Sequence, residues 1–574
     1  MKAVTALSAS RRRGVLAGLL ALFGCGPDGT GPGSGGAAAP AAATAATGLV
    51  DATVAAGLPL EFPAIDGSYA LVEIMGPGVA LFDADGDHDL DLLERRAPPP
   101  GRASEPAPDR FWRREADGRY VDATAASGLA DPGYGQGVAI GDVDNDGDND
   151  VYCANYGQDA LFINRGDGTF VDATAAAGFS GADEWTCAAA FFDADRDGDL
   201  DLFLAHYVEF DASVVCRRQD SAPEYCGPLA FPPTVDSLWI NDGGGRFTEE
   251  GRARGISVKG AALGVVCADF TGDGECDVYV ANDAGNNHLW INQGGGRFIE
   301  DGIERGVAVN RFGKPEGSMG IAIGDLDGNG HQDLLVTHIA EENNTLYLAE
   351  PGGGSHRDAT PQAGMARHDL PRTGFGVAFL DLELDGDLDV AVVNGRVRRG
   401  RPEPGCALRP FWVPFADRNL LFLNDGATRF TPAPPAAAGS FTAAAELGRG
   451  LAVGDLDDDG DLDLVTSQSI GPLRIHRNEL PRAGRWLRVR AVTGKRDALG
   501  AEVRLHAGGR ERRALALAAS SYASSGDPRV HFGLGDVAAF DAIEVRWPSG
   551  RIERFDGGPV DRTLELVEGT GRAP

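Results

Sequence analysis

Seven times the chain places aspartates at every second position, and the oxygens of such a run are the ligand set a calcium ion requires. In Gly141-Asp-Val-Asp-Asn-Asp-Gly-Asp-Asn-Asp150 the carboxylates of Asp142, Asp144, Asp146 and Asp150 stand at positions 1, 3, 5 and 9, with Gly147 at position 6. Calcium takes about six to eight oxygens, one of them commonly a backbone carbonyl near position 7, and a central glycine lets the chain fold back around the ion. The Asp193 loop (Asp193, Asp195, Asp197, Asp201) and the Asp455 loop (Asp455, Asp457, Asp459, Asp463) repeat the pattern unchanged. Asp83, Asp85, Asp87 and Asp91 have His88 in place of the glycine. Asp269, Asp273 and Asp277 have Thr271 at position 3, while Asp325, Asp327 and Asp333 have Asn329 at position 5. Asp381, Asp385 and Asp389 have Glu383 at position 3. All seven are expected to take calcium, the Asp142, Asp193 and Asp455 loops most tightly.

The elements around a loop decide what kind of calcium site it is. An EF-hand needs a helix on each side and a bidentate Glu at position 12. Here Gly137-Val-Ala-Ile140 precedes and Val151-Tyr-Cys-Ala154 follows, short runs of strand type, so the loop is a turn between two β-strands. A second repeated element completes the unit. Leu161-Phe-Ile-Asn-Arg-Gly-Asp-Gly-Thr-Phe-Val-Asp-Ala-Thr174 recurs as LWINDGGGRFTEE from Leu238, LWINQGGGRFIED from Leu289 and FWRREADGRYVDAT from Phe111. Two strand-like runs around glycine-rich residues read as a β-hairpin. Arg165-Gly-Asp167, an integrin-recognition tripeptide by spelling, falls in that turn and is read as turn chemistry.

The ladders start 51 to 76 residues apart, and each unit holds about four strands. A four-stranded sheet repeated radially makes a propeller with short protected edges. The expected fold is all-β: a seven-bladed β-propeller over residues 48–480, then a small β-sandwich-like domain over 481–574, where Trp486-Leu-Arg-Val-Arg and Glu502-Val-Arg-Leu-His alternate apolar and polar. Leu49-Val-Asp-Ala-Thr matches the second half of the hairpin and Leu473-Arg-Ile-His-Arg-Asn478 its first half. The amino-terminal strand is therefore expected to complete the last blade.

These units resemble the FG-GAP/VCBS repeats of integrin alpha-type propellers. The string Leu499-Gly-Ala-Glu-Val-Arg-Leu, Ser520-Ser-Tyr, His531-Phe-Gly-Leu-Gly and Glu544-Val-Arg-Trp-Pro-Ser-Gly resembles the ASPIC/UnbV domain. In that order the two resemble the cartilage acidic protein-like family, here in a bacterial lipoprotein form. The resemblance implies a calcium-loaded propeller and no defined reaction.

Residues 1–24 read as a lipoprotein signal peptide: Lys2 and Arg11 to Arg13, an apolar run, then Leu22-Phe-Gly-Cys25 as a lipobox with Cys25 the lipidated residue. Residues 25–47, rich in Gly, Ala and Pro, form a flexible tether. The protein is thus placed outside the cytoplasm on a lipid anchor. Cysteines agree with an oxidising compartment. Cys216 with Cys226, and Cys267 with Cys276, are expected as local disulfides, and Cys153 and Cys187 are placed to join neighbouring blades, leaving Cys406.

A net charge of −33 excludes nucleic acid as a partner, because phosphate binding needs a basic stripe. There is no GxSxG elbow, HExxH helix or P-loop. Two insertions, Ala205 to Ser237 and Gly395 to Asn419, combine arginines with aromatics such as Tyr207, Tyr225, Arg399, Phe411 and Trp412; they are the candidate binding surface, with disordered or self-packed loops as the alternative. The reading is a calcium-stabilised binding or adhesion scaffold for a glycan or protein ligand; the alternative is a calcium-dependent secreted polysaccharide-cleaving enzyme.

Overall fold

The computed structural model describes residues 48–574 apart from 63, 102–104, 106 and 180–183. The leader, Cys25 and the tether lie outside the described residues. Each aspartate ladder joins the first two strands of a four-stranded antiparallel sheet, and each glycine-rich hairpin joins the last two. In the second sheet the strands are Tyr134–Gly141, Asp150–Tyr156, Ala160–Asn164 and Phe170–Asp172. The first strand of a sheet is buried along its whole length, as in Thr186–Phe192 and Ala262–Ala268. That burial is why these strands read as continuous apolar runs and not as alternating ones.

Among the described residues there are seven such sheets, and apolar clusters link each to the next. Phe82 and Phe111 of the first sheet pack with Ile140 and Phe162 of the second. Phe192 and Phe203 of the third pack with Val278 and Trp290 of the fourth. Equivalent clusters join the second to the third, the fourth to the fifth, the fifth to the sixth and the sixth to the seventh. A last cluster, with Leu81 and Leu92 against Val465 and Ile475, joins the seventh sheet back to the first. The seventh sheet is completed by the amino-terminal strand as the sequence predicts, with Leu49 opposite Asn478 and Asp51 opposite His476.

The middle of this ring is filled. A cluster gathers Leu71 to Met75, Tyr134, Trp185, Leu263, Met319, Phe375 and Leu447 with residues of both insertions. Tyr207, Trp412 and Phe415 are fully buried there, and Tyr69, Tyr225, Phe411 and Phe415 meet ring to ring. The exposed aromatic surface expected of the insertions is therefore absent from these residues: the strand ends leave an apolar hole, and the insertions fold inward to cover it. Their arginines are engaged as well. Arg399 lies over Tyr69, Phe411 and Phe415, Arg396 pairs with Asp417 and Glu403, and Arg409 with Asp66.

Residues 485–567 form two further four-stranded sheets around one apolar core that includes Leu487, Val503, Ile543 and Trp547. A hairpin from this domain, Ala519–Ser520 to Ser524–Ser525, reaches into the centre of the ring. Ser525 pairs parallel to Ala80, Ser521 pairs with Ile321, and the Ser521 hydroxyl accepts from the Val377 N–H. Tyr522 at its tip is fully buried against Phe375.

The cysteine expectations are corrected in part. Cys216–Cys226 is a disulfide within the first insertion. Cys153, Cys187, Cys267, Cys276 and Cys406 are free thiols. Cys153 points into the cluster between the first two sheets and Cys187 into the central one, so the two face different cores and cannot meet. For Cys267 and Cys276, both against the cluster between the third and fourth sheets, the structure offers no physical reason.

Candidate metal centres

The backbone of each loop is set by two residues in left-handed conformation. Position 6 is the expected one, with Gly147 at φ +107°, and His88 takes the same role at φ +74°, strained for a side chain. Position 4 is the second, occupied by Asn145, Arg196, Leu384 and Asp458 at φ between +58° and +63°. The first aspartate then closes the loop. Asp142 accepts from the N–H groups of Asp146 and Gly147 at 3.1 and 2.8 Å, and Asp381 does the same with Asp385 and Gly386.

Position 9 does more than the sequence suggested. Both oxygens of Asp150 accept backbone N–H bonds, from Val143 at 2.9 Å and from Asn164 on the third strand at 2.8 Å. The same clasp holds at Asp91, Asp201, Asp277, Asp333, Asp389 and Asp463, always from position 2 of the loop and from the end of the third strand. The ninth carboxylate thus pins the turn to its sheet; each oxygen retains a lone pair for a metal. The third-strand asparagine was missed by the sequence reading, although it recurs visibly in LFIN164, LWIN241 and LWIN292. Asn164 donates to the Ala84 carbonyl of the preceding loop, Asn241 to Val143 and Asn292 to Ala194. With Asn478 donating to Leu382, four loops are stitched in this way to the next sheet around the ring. Asp150→Asn keeps one acceptor and turns an NH₂ toward the other N–H, so a loss of about 1–3 kcal/mol is expected, read as a lower urea midpoint at unchanged m-value.

Whether these residues fit calcium differs from loop to loop. In the Asp83, Asp142, Asp193 and Asp325 loops three carboxylates bring one oxygen each within 4.8 Å of one another: Asp83, Asp85 and Asp87; Asp142, Asp144 and Asp146; Asp193, Asp195 and Asp197; Asp325, Asp327 and Asp333. Asp85 Oδ1, Asp144 Oδ1, Asp195 Oδ1 and Asp325 Oδ1 are buried without a hydrogen-bond donor among the described residues. So is Glu383 Oε2, whose carboxyl shares a hydrogen bond with Asp389, an arrangement of like charges that a cation would relieve. Burial without a cation pushes Asp142 and Asp193 up to about 6. These five loops fit the ion.

In the other two the first aspartate already carries a guanidinium. Arg546 donates to Asp269 Oδ2 at 3.0 Å. Arg488, almost fully buried, donates to Asp455 Oδ2 and to Asp458 at 3.0 Å, while Arg477 pairs with Asp457 and Arg482 with Asp459. The Asp455 loop, ranked among the best by spacing, is the most completely occupied by guanidinium. Arg488 and Arg546 both come from the carboxy-terminal domain, which lies on the loop side of the ring and touches the other loops through backbone carbonyls. Lys495 reaches Asp146, Arg496 reaches Gly198, Arg513 reaches Gly330 and Arg529 reaches His88. A basic face on one domain meets an acidic ring on the other. Asp109, Asp131 and Cys153 also converge, but Arg95 bonds both carboxylates and fills that site itself.

The ninth carboxylates make the metal-free protein proton-sensitive. Burial, outweighing their N–H bonds, pushes Asp91, Asp150, Asp201, Asp277 and Asp463 to about 8. A carboxylate whose folded pKa is raised contributes stability that is lost as pH rises through that value. Buried His206 and His476, lowered to about 4, contribute in the opposite sense only below their unfolded pKa of about 6.5. Between about pH 8.5 and 7 these histidines are silent, and the buried thiols of Cys153, Cys187, Cys267 and Cys276, raised by burial, act in the same sense as the carboxylates. Chelated protein is expected to gain melting temperature on acidification across that window, and calcium-loaded protein to gain less, retaining the share of Asp277 and Asp463, whose loops carry arginine.

The expected tripeptide turn is also in place: Arg165 N–H bonds Thr169 across it, with Gly166 and Gly168 at positive φ.

Comparison with known proteins places the chain. The FG-GAP-like repeat family matches residues 142–204 and 269–336, and the ASPIC and UnbV family matches residues 491–573. The chain is 26% identical to cartilage acidic protein 1 of Xenopus tropicalis over 494 residues, 75% of this chain and 73% of that protein. It is 24% identical to the Homo sapiens protein of the same name over 504 residues, 75% and 72% of the two chains. Among solved structures, an Agrocybe aegerita lectin that recognises non-reducing terminal N-acetylglucosamine aligns at 15% identity and TM-score 0.38, covering 69% of this chain and 93% of the lectin. A xyloglucanase from Xanthomonas campestris aligns at 13% identity and TM-score 0.37, covering 86% and 69%. Scores that low carry no functional argument.

Proposed function

For a chain made of FG-GAP-like repeats followed by an ASPIC and UnbV domain, we propose an extracytoplasmic binding scaffold. Its seven sheets are the blades of one propeller, calcium fills the Asp83, Asp142, Asp193, Asp325 and Asp381 loops, and arginine replaces the ion in the Asp269 and Asp455 loops. The carboxy-terminal β-sandwich is the lid that supplies both replacing arginines. The lipid on Cys25 tethers the whole to a membrane, and the ligand is a glycan or a protein. The observation that carries the proposal is the guanidinium on the first aspartate: Arg546 on Asp269 and Arg488 on Asp455, with no arginine paired to the first aspartate of the other five loops among the described residues. The Cys216–Cys226 disulfide supports an oxidising compartment, where millimolar calcium also suits loops of this kind.

Arg546→Ala tests the division of labour. With the guanidinium gone the Asp269 loop recovers its first carboxylate, so equilibrium dialysis in millimolar calcium is expected to count one ion more than in the unaltered protein. An unchanged count contradicts arginine as the substitute.

A further inference from the structure

On the face of the ring away from the loops, a cavity of about 490 Å³ opens between both insertions and the ends of the fourth and fifth sheets. That is within the range of small-molecule sites, about 300–1,000 Å³. Its floor is apolar, with Met75, Met319, Ile339 and Val397, and Tyr207 presents its hydroxyl. At one end the two sheets touch, Asp283 pairing with Gly317. Gly317 has no side chain to fill the corner this makes. A Cβ there would press on Asp283 Oδ1 at 3.0 Å and Ile339 Cγ2 at 3.1 Å, with Glu342 Oε2 at 3.5 Å, so only glycine lets both carboxylates close on this corner. Tyr207 donates to Asp283 Oδ2 at 2.7 Å and the Gly317 N–H to Glu342 Oε2 at 2.7 Å, which fixes both groups in place. Glu341 lines the same cavity, and among the described residues no lysine or arginine forms an ion pair with any of the three; Arg398 stands exposed at the rim.

We infer that this cavity binds an alkylammonium group, its charge held between Asp283 and Glu342 over Gly317 and its aliphatic stem lying on Met75, Met319 and Ile339. Two oriented carboxylates lining one end of the cavity suit a compact cation with N–H donors, and the apolar floor suits its methylenes. A bare metal ion would gain nothing from that floor. The site uses none of the calcium loops and goes beyond the scaffold reading above.

The test is calorimetric titration of the full chain, in saturating calcium and physiological salt, with 1,5-diaminopentane and with Nα-acetyl-lysine methylamide. Saturable one-site binding is expected, weakened about tenfold or more in Gly317→Ala, whose methyl pushes the two carboxylates apart, and in Glu342→Gln, which removes a charge. Gly317 is not in left-handed conformation, so alanine suits its backbone. Calcium counts unchanged in the variants certify folding, and Glu342→Gln keeps the test decisive where Gly317→Ala folds poorly. Binding of the diamine alone assigns a free polyamine-type ligand; binding of the lysine derivative as well assigns a side chain of a partner protein. No saturable binding of either probe, or binding undiminished in a folded variant, overturns the inference.

Discussion

Chelating calcium lowers the melting temperature by roughly 2–7 °C, since five ions each contribute on the order of 0.5–1.5 kcal/mol at millimolar calcium and a chain of this length unfolds with about 1 kcal/mol/K of entropy. The sign follows from the carboxylates. In the Asp142 loop three of them stand within 4.8 Å of each other with no arginine paired to them, so removing the ion leaves repulsion and stranded lone pairs. The shift is small per degree because the chain is long, yet it is a large share of the stability of any one domain. Differential scanning calorimetry with and without chelator reads it directly. A shift below about 1 °C would mean that the loops are held by their own hydrogen bonds, the ninth-position clasps foremost.

Tyr522→Ala is the single substitution expected to cost most. The ring is fully buried, meets Phe375 edge-on at 4.8 Å, and its hydroxyl donates to the Met75 carbonyl at 3.2 Å. Truncating a buried aromatic costs about 3–5 kcal/mol through lost burial and the cavity left behind. Here the cavity opens at the one point where the carboxy-terminal domain enters the ring, so the hairpin loses its anchor and the lid loosens with it. Tyr522→Phe retains the packing and gives up one hydrogen bond, a loss of about 0.5–1.5 kcal/mol. Denaturant unfolding separates the two variants. Equal losses would assign the effect to the hydroxyl and not to the plug.

What could be read from the sequence was whatever is written locally. The ladders, the glycine at position 6, the hairpin turns and the amino-terminal strand that closes the last sheet are contiguous patterns, and all are found where spacing put them. The second left-handed position is glycine in three loops, Gly86, Gly272 and Gly328, but Asn145, Arg196, Leu384 and Asp458 in the other four share no side-chain chemistry, and that mixture hid the backbone need. The double duty of Asp150 escaped because its second partner, Asn164, lies on another strand of the sheet. Farther still in sequence are the replacing arginines: Arg546 meets Asp269 across 277 residues, a relation no motif records. Spacing ranks the Asp455 loop with the best for the same reason: it does not register Arg488 on its first aspartate. The insertions were misjudged differently: aromatics with arginines look like a binding surface until a ring with an apolar centre is known to lie beneath them, and then Trp412 and Phe415 belong to its core.

The most direct measurement is the number of calcium ions held by the unaltered protein, by equilibrium dialysis against radioactive calcium at millimolar concentration. Five per chain is the expected result, one for each loop whose carboxylate oxygens lack an arginine at position 1. A count of seven would contradict the arginine substitution, and a count of one or none would contradict the calcium scaffold itself.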